Sequence, residues 1–162
     1  MDKVSVLEKT LTAFSRYYDI NTENPTSPFV AEASFHSHTE QYFLLKEAKL
    51  SEIESSEYVF FAHTDFLSQE KLLQLDERAW SVGLSRVKPT SSHRNSDVTL
   101  VLIADKVDES AFNLVKKLKH YKSYSFTFKG WSNYRVILLE TSSSRIVHNR
   151  MGSSLKKIFS NI

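Results

Sequence analysis

The chain has 162 residues, 41% of them apolar and 25% charged, a formal net charge of +2 and no cysteine. This is about one domain of ordinary globular composition, and the lack of cysteine excludes disulfides, thiolate zinc sites, Cys nucleophiles and iron–sulfur clusters. Gly83, Gly130 and Gly152 are isolated from one another and no G-x-S-x-G occurs, which removes P-loop, dinucleotide-turn and nucleophile-elbow chemistry.

Val4, Leu7, Leu11, Phe14 and Tyr18 recur at three- and four-residue spacing and predict an amphipathic helix over about residues 3–18, with Ser5 and Glu8 spaced as a capping box. NTENPTSP, residues 21–28, is a loop by its prolines and small polar residues. Over 29–38, Phe29, Ala31, Ala33 and Phe35 alternate with Glu32, Ser34, His36 and His38, the pattern of a strand with one inward face. QYFLLKEAKL and EYVFFAH read as two interior strands joined through an acidic turn, LSEIESSE.

Ser68 is placed to cap a helix running to about Val87, whose Leu72, Leu75, Ala79 and Val82 form one apolar stripe and Leu73, Trp80, Leu84 and Val87 a second. KPTSSHRNS is a polar loop holding His93, to which no role is assigned. VTLVLIA, residues 98–104, is continuously apolar and is expected as a central strand. Asp108 then caps a helix over 109–121. YSFTFK, a turn at GWSN and YRVILLE suggest a hairpin in which Phe126 and Phe128 share a core face. RIVHN reads as a short edge strand and 153–161 as a terminal helix. The order αβββαβαββ(β)α describes one α+β domain, residues 1–162, with a mixed sheet and packed helices. No apolar run of roughly 18 residues occurs and MDKVSVLEKTL has no leader pattern, so the expectation is no signal peptide, no membrane partner and a cytoplasmic location.

Three stretches carry chemistry. In FHSHTEQYF, His36, His38 and Glu40 are two apart and would share one strand face. They offer up to three ligands to a divalent metal, with His63 or Glu47 to complete the set, although the same alternation describes the polar side of a half-buried strand. The second is Glu47-Ala48-Lys49, an acid-x-Lys triplet within an αβββαβ element order. This combination resembles the core of the PD-(D/E)xK nuclease superfamily. The resemblance implies Glu40 or Glu32 as the earlier acid, Glu47 and Lys49 as the triplet, and carboxylate-bound Mg²⁺ activating water for phosphodiester hydrolysis. The chain departs from that pattern in lacking Pro-Asp and in carrying the triplet on the second strand, where the third offers only Glu57-Tyr58-Val59. Glu-x-Lys on a sheet is also an ordinary surface pair.

The third stretch follows from a charge asymmetry. Residues 1–110 hold 11 Lys and Arg against 18 Asp and Glu, a balance of −7, whereas residues 111–162 hold 10 against one, a balance of +9. Within the basic part, KKLKHYKSYSFTFKGWSNYRV interleaves Lys116, Lys117, Lys119, Lys122, Lys129 and Arg135 with Tyr121, Tyr124, Phe126, Phe128, Trp131 and Tyr134. Cations neutralise phosphates and rings stack on bases, the two ingredients of single-strand nucleic-acid binding. Of the rings, Trp131 in the expected turn is the one predicted to be exposed. Arg145, Arg150, Lys156 and Lys157 extend the patch if they fold onto the same side.

YFLL followed by EYVF, then VTLVLIAD, KKLK, F-x-FKGW and V-x-N-R-x-G together resemble a small family of uncharacterised proteins from low-GC Gram-positive bacteria, over most of the chain. That resemblance implies a bacterial, cytoplasmic protein and carries no activity. The expectation is a non-catalytic binding domain that meets an anionic partner, nucleic acid or an acidic protein, through its basic C-terminal third. The alternatives are a metal-dependent nuclease or its degenerate relative, and a homo-oligomer in which the acidic and basic regions meet.

Overall fold

The computed structural model describes residues 1–42 and 49–162, with the backbone alone given for 38–42 and 49–53. In chain order the elements are α1 (Lys3–Phe14), β1 (Asp19–Asn21), β2 (Ala31–Tyr42), β3 (Lys49–Leu67), α2 (Gln69–Ser85), β4 (His93–Val107), α3 (Glu109–Val115), β5 (Tyr121–Ser123), β6 (Trp131–Glu140), β7 (Arg145–His148), a 3₁₀ turn (Arg150–Leu155) and α4 (Lys156–Ser160). The seven strands form one mixed sheet, so the fold is α+β as the sequence predicts. Among the described residues no helix is long and apolar enough to cross a membrane.

The sheet runs β1-β2-β3-β4-β6, and β5 and β7 both pair with the outer edge of β6. β1, β2 and β3 are antiparallel, whereas β3, β4 and β6 are parallel. Alternation along the parallel strands divides the core in two. Tyr58, Phe60 and Ala62, Val98, Leu100 and Leu102, and Tyr134, Val136 and Leu138 face α2 and α3. Val59 and Phe61, Val101 and Ile103, and Ile137 and Leu139 face α1 and α4. β4 is buried on both sides, which is why VTLVLIA has no polar phase.

Several local expectations are revised. Asp2, not Ser5, caps α1, accepting from the amides of Val4 and Ser5 at 3.0 Å each, and the helix ends at Phe14. LSEIESSE is no turn. It lies within β3, where Ser51 to Glu57 pair residue by residue with Gln41 to Phe35. The segment has no Gly, Pro or Asn to reverse the chain, and its many acidic and Ser residues fit the rim of a long hairpin. QYFLLKEAKL is accordingly not a separate interior strand: its ends belong to β2 and β3, and 43–48 lie outside the described residues. His93 belongs to β4 and is buried, not in a loop.

The outer edge of β6 requires special provision. β5 pairs with it only at residues 131–133 and β7 only at 137–140. Asn149 fills the gap. Its Oδ1 accepts from the amides of Val136 at 3.1 Å and Gly152 at 2.9 Å, while Nδ2 donates to the carbonyls of Leu118 at 3.0 Å and Tyr134 at 3.1 Å. The carboxamide thus replaces a missing strand, satisfying buried backbone groups that would otherwise be costly. Gly152 must be glycine here because a Cβ would stand 2.7 Å from the Val136 carbonyl. Asn149→Ala is therefore expected to destabilise the protein by about 2–4 kcal/mol, seen as a lower urea midpoint. An unchanged midpoint would show that the edge is satisfied some other way.

At the opposite end of β6, Glu140 accepts from the Val107 amide at 2.9 Å, from Arg145 Nε at 3.0 Å and from the Ser143 hydroxyl, while Arg145 stacks 4.1 Å above Phe112. Burial pushes the Glu140 carboxyl up, but the Ser143, Arg145 and Val107 donors together outweigh burial and hold it below the ordinary carboxylate range. A lowered folded value means the stabilisation is present at neutral pH and lost as pH falls through that value. Glu140→Gln is expected to cost about 1–2 kcal/mol at pH 7. The gap in Tm between variant and parent should narrow on acidification, and a gap independent of pH would contradict the assignment.

Candidate nucleic-acid interface

The basic segment begins where α3 ends. Lys116 caps that helix, Leu118 turns into the core, and Lys116, Lys117 and Lys119 are exposed. His120 then pins the chain to α2. Its Nε2 donates to Asp76 Oδ2 at 2.9 Å, and its ring stacks on Trp80 at 5.1 Å and meets the edge of Tyr134 at 4.7 Å. Tyr134 is buried, and burial reinforced by the Asp76 charge raises its hydroxyl well above the usual tyrosine value. Sequence periodicity gives no hint of this pair. Asp76 is a charged residue on the inward face of α2, intelligible only once His120 is beside it.

β5 follows, with Tyr121, Lys122 and Ser123 opposite Asn133, Ser132 and Trp131. The connection 124–130 is closed at its base by the Tyr124 amide donating to the Gly130 carbonyl at 2.9 Å and the Lys129 amide to the Tyr124 carbonyl at 3.1 Å. Its tip is a left-handed turn, since Ser125, Phe126 and Thr127 have φ of 49°, 53° and 74°. A bulky and a β-branched residue in that region each cost about 1–3 kcal/mol of backbone strain. The turn throws both phenylalanines outward: Phe126 is 92% and Phe128 85% exposed, with Tyr121 at 54% beside them in sequence. The expectation that Phe126 and Phe128 share a core face is therefore overturned. Tyr-x-Phe-x-Phe has the period of a strand, but the chain leaves the sheet at Ser123, so the alternation has no pleat to act on.

The base of the loop is rigid. Tyr124 packs edge-on against His93 at 5.5 Å and its hydroxyl bonds Ser132 Oγ at 3.0 Å. His93 Nδ1 donates to the Lys129 carbonyl at 2.5 Å. Gly130 has φ of 84°, and a Cβ there would lie 2.1 Å from the Arg94 carbonyl. Lys122 Nζ sits 5.6 Å from the Tyr124 ring centroid, and Lys129 is exposed. Among the described residues, none of Lys116, Lys117, Lys119, Lys122 and Lys129 forms an ion pair, so their charge faces solvent.

Two residues assigned to the interface sit elsewhere. Trp131 is not in a turn: it opens β6 and is half-buried opposite Asn95 and Ser123. Arg135 is consumed by an ion network on the α1 side of the sheet. Its Nη2 lies 2.7 Å from Asp97 Oδ2 and its Nη1 3.2 Å from Glu57 Oε1, and Glu57 also accepts from the Tyr18 hydroxyl. Burial raises the Asp97 carboxyl, with Arg135 opposing it, and burial together with Glu57 raises the Tyr18 hydroxyl. Arg145 is likewise paired, with Glu140 and Glu109. Arg135→Ala should therefore destabilise the fold by about 1–3 kcal/mol in urea, whereas Lys122→Ala should leave the midpoint in place.

The metal and nuclease candidates are not assembled by the described residues. His36 pairs with Ser56 across β2–β3, while His63 lies seven residues further along β3, roughly 23 Å away, and on the opposite face. His63 therefore cannot complete a set with His36. Among the described residues no three metal-ligating groups converge. Glu32 is buried and engaged, 2.6 Å from Arg86 Nη2 and accepting from the Thr26 amide at 2.9 Å. Glu47 lies outside the described residues, as do the side chains of His38, Glu40 and Lys49. The element order αβββαβ is present, with β4 parallel to β3. Both crossovers, through α2 and α3, lie on one face of the sheet, so β3, β4 and β6 advance in one direction without the switch point that opens a ligand crevice.

Residues 2–161 match the family described as Domain of unknown function (DUF8052). The chain belongs to the DUF8052 family. No curated protein and no solved structure matches it. The DUF8052 match takes in every element from α1 to α4, and so includes both the loop 124–130 and the Asn149–Gly152 edge.

Proposed function

We propose that this DUF8052 protein is a non-catalytic binding domain of the bacterial cytoplasm that holds single-stranded nucleic acid on the loop 121–130. The observation that carries the reading is the pair of rings, Phe126 and Phe128, held out into solvent by a strained turn between two unpaired lysines, Lys122 and Lys129. Apolar rings placed so cost solvation and strain and contribute nothing to the core, so their use is external. Rings stack on unpaired bases while lysines neutralise the backbone, and both interactions are largely indifferent to sequence. Lys116, Lys117 and Lys119, immediately upstream, lengthen the cationic track.

Affinity for a single-stranded oligonucleotide should fall steeply with salt, with a log–log slope near −0.7 per phosphate contacted. Phe126→Ser with Phe128→Ser should weaken binding by about tenfold or more and leave thermal stability unchanged, because both rings are solvent-exposed. Fluorescence anisotropy across a salt series reads both effects. No binding at low salt, or equal binding by the double variant, would sink the proposal. Mass that grows with concentration and collapses in salt would favour self-association of the acidic and basic regions instead.

A further inference from the structure

We infer that a second site, a cavity of about 290 Å³ on the α2 side of the sheet, binds a phosphate monoester. It lies beside the base of the loop and is used by nothing described above. Its floor is a row of three residues across three strands: His36 on β2 stands opposite Ser56 on β3, which stands opposite Ser96 on β4. His36 Nδ1 is 2.9 Å from Ser56 Oγ, and His93 Nε2 is 2.7 Å from Ser96 Oγ. Two His–Ser pairs therefore sit side by side. Arg86 and Lys88, from the segment after α2, close the cavity from above.

Three features together bring His93 into this row. The β3–β4 register slips between Glu54 and Ser55, so Arg94 is an extra residue in β4. That bulge turns His93 onto the same face as Ser96, which a regular strand would not do at a spacing of three. The Lys129 carbonyl accepts from His93 Nδ1, which orients the ring with Nε2 against the Ser96 hydroxyl. Gly130 leaves room for that contact, since a Cβ would come within 2.7 Å of His93 Nδ1. Above the row, Tyr58 donates to the Arg86 carbonyl at 3.2 Å and so holds the cationic segment over the serines.

The donor set selects the ligand class. Three hydroxyls (Ser56, Tyr58 and Ser96), two imidazoles, one guanidinium and one ammonium line the space against a single carboxylate, Glu54. Tyr58 is held by the Arg86 carbonyl and Ser96 by His93, so Ser56, His36, Arg86 and Lys88 are the groups turned to a ligand. Arg86 is partly neutralised from its other side by Glu32, which leaves exposed Lys88 as the principal free charge. The volume lies just below the roughly 300–1,000 Å³ of small-molecule pockets, which suits a phosphoryl group with part of a sugar. Multiple hydroxyl and cationic donors converging on a small space are what a tetrahedral dianion requires. The phosphoryl group has two sources, the end of a nucleic-acid strand or a small phosphorylated molecule. Only the first rests on the interface reading.

The test is a titration of ¹⁵N-labelled protein with inorganic phosphate at fixed ionic strength. Amide shifts should be confined to residues around Ser56, His93 and Ser96, and Lys88→Glu should weaken binding by about tenfold or more. Lys9→Glu, exposed on α1 behind the sheet and outside both sites, should leave it unchanged. Absence of shifts at millimolar phosphate, or equal binding by Lys88→Glu, overturns the site. A 5′-phosphorylated oligonucleotide bound more tightly than its 5′-hydroxyl counterpart, with the preference lost in Lys88→Glu, assigns the strand end. Phosphate binding without that preference assigns a small molecule. Because the phosphate titration does not involve Phe126 or Phe128, failure of the interface and failure of the cavity give different results.

Discussion

The fold depends on how the outer edge of β6 is satisfied. A parallel strand buried on both faces must pair along its whole length or leave polar backbone groups in the core. Two short strands reach this edge at its ends, and one asparagine carboxamide serves the stretch between them. That side chain also receives the chain end of α3 through the Leu118 carbonyl and the 3₁₀ turn through the Gly152 amide, so one residue joins both to the sheet edge. The loop 124–130 grows from β5 and β6. Its base is held separately, by His93 and Arg94 of β4 against Tyr124, Lys129 and Gly130.

The loop itself combines a rigid base with a projecting tip. At the base, Tyr124, Lys129 and Gly130 lie against His93 and Arg94 at the start of β4, and His120 is locked to Asp76. At the tip the chain adopts a left-handed turn with no side-chain packing around the two phenylalanines. The charged groups that fold inward, Arg135 with Asp97 and Glu57, and Arg145 with Glu140, are matched pair by pair. The lysines of 116–129 are not, and this separates structural charge from available charge more clearly than the net balance of +9 does.

Much of the architecture was legible in the sequence. The periodicity of α1, the Ser68 cap of α2, the unbroken VTLVLIA strand and the α+β class all follow from local patterns that the structure keeps. The errors cluster where pattern and context part. LSEIESSE looks like a turn by composition, yet the antiparallel partner strand extends it into the sheet. Tyr-x-Phe-x-Phe looks like a buried strand face, yet it lies beyond the last ladder pair. Trp131 is expected outside because GWSN reads as a turn, and Arg135 because it belongs to the Lys and Arg series of 116–135; what buries them comes from β4, β3 and β5. Asn149 and Gly152, visible in sequence only as part of V-x-N-R-x-G, take their meaning from an edge geometry no periodicity encodes.

The α1–α4 layer has a practical corollary. Met1 and Ile162 line the same small cavity with Val6 and Phe159, so the first and last residues lie together on one side of the sheet. The His93 cavity is on the other side, under the segment that follows α2. A fusion partner, affinity handle or solid support joined at either terminus would therefore be carried behind the sheet. The face bearing His93 and its serine row would stay open to whatever is presented to it in immobilised form.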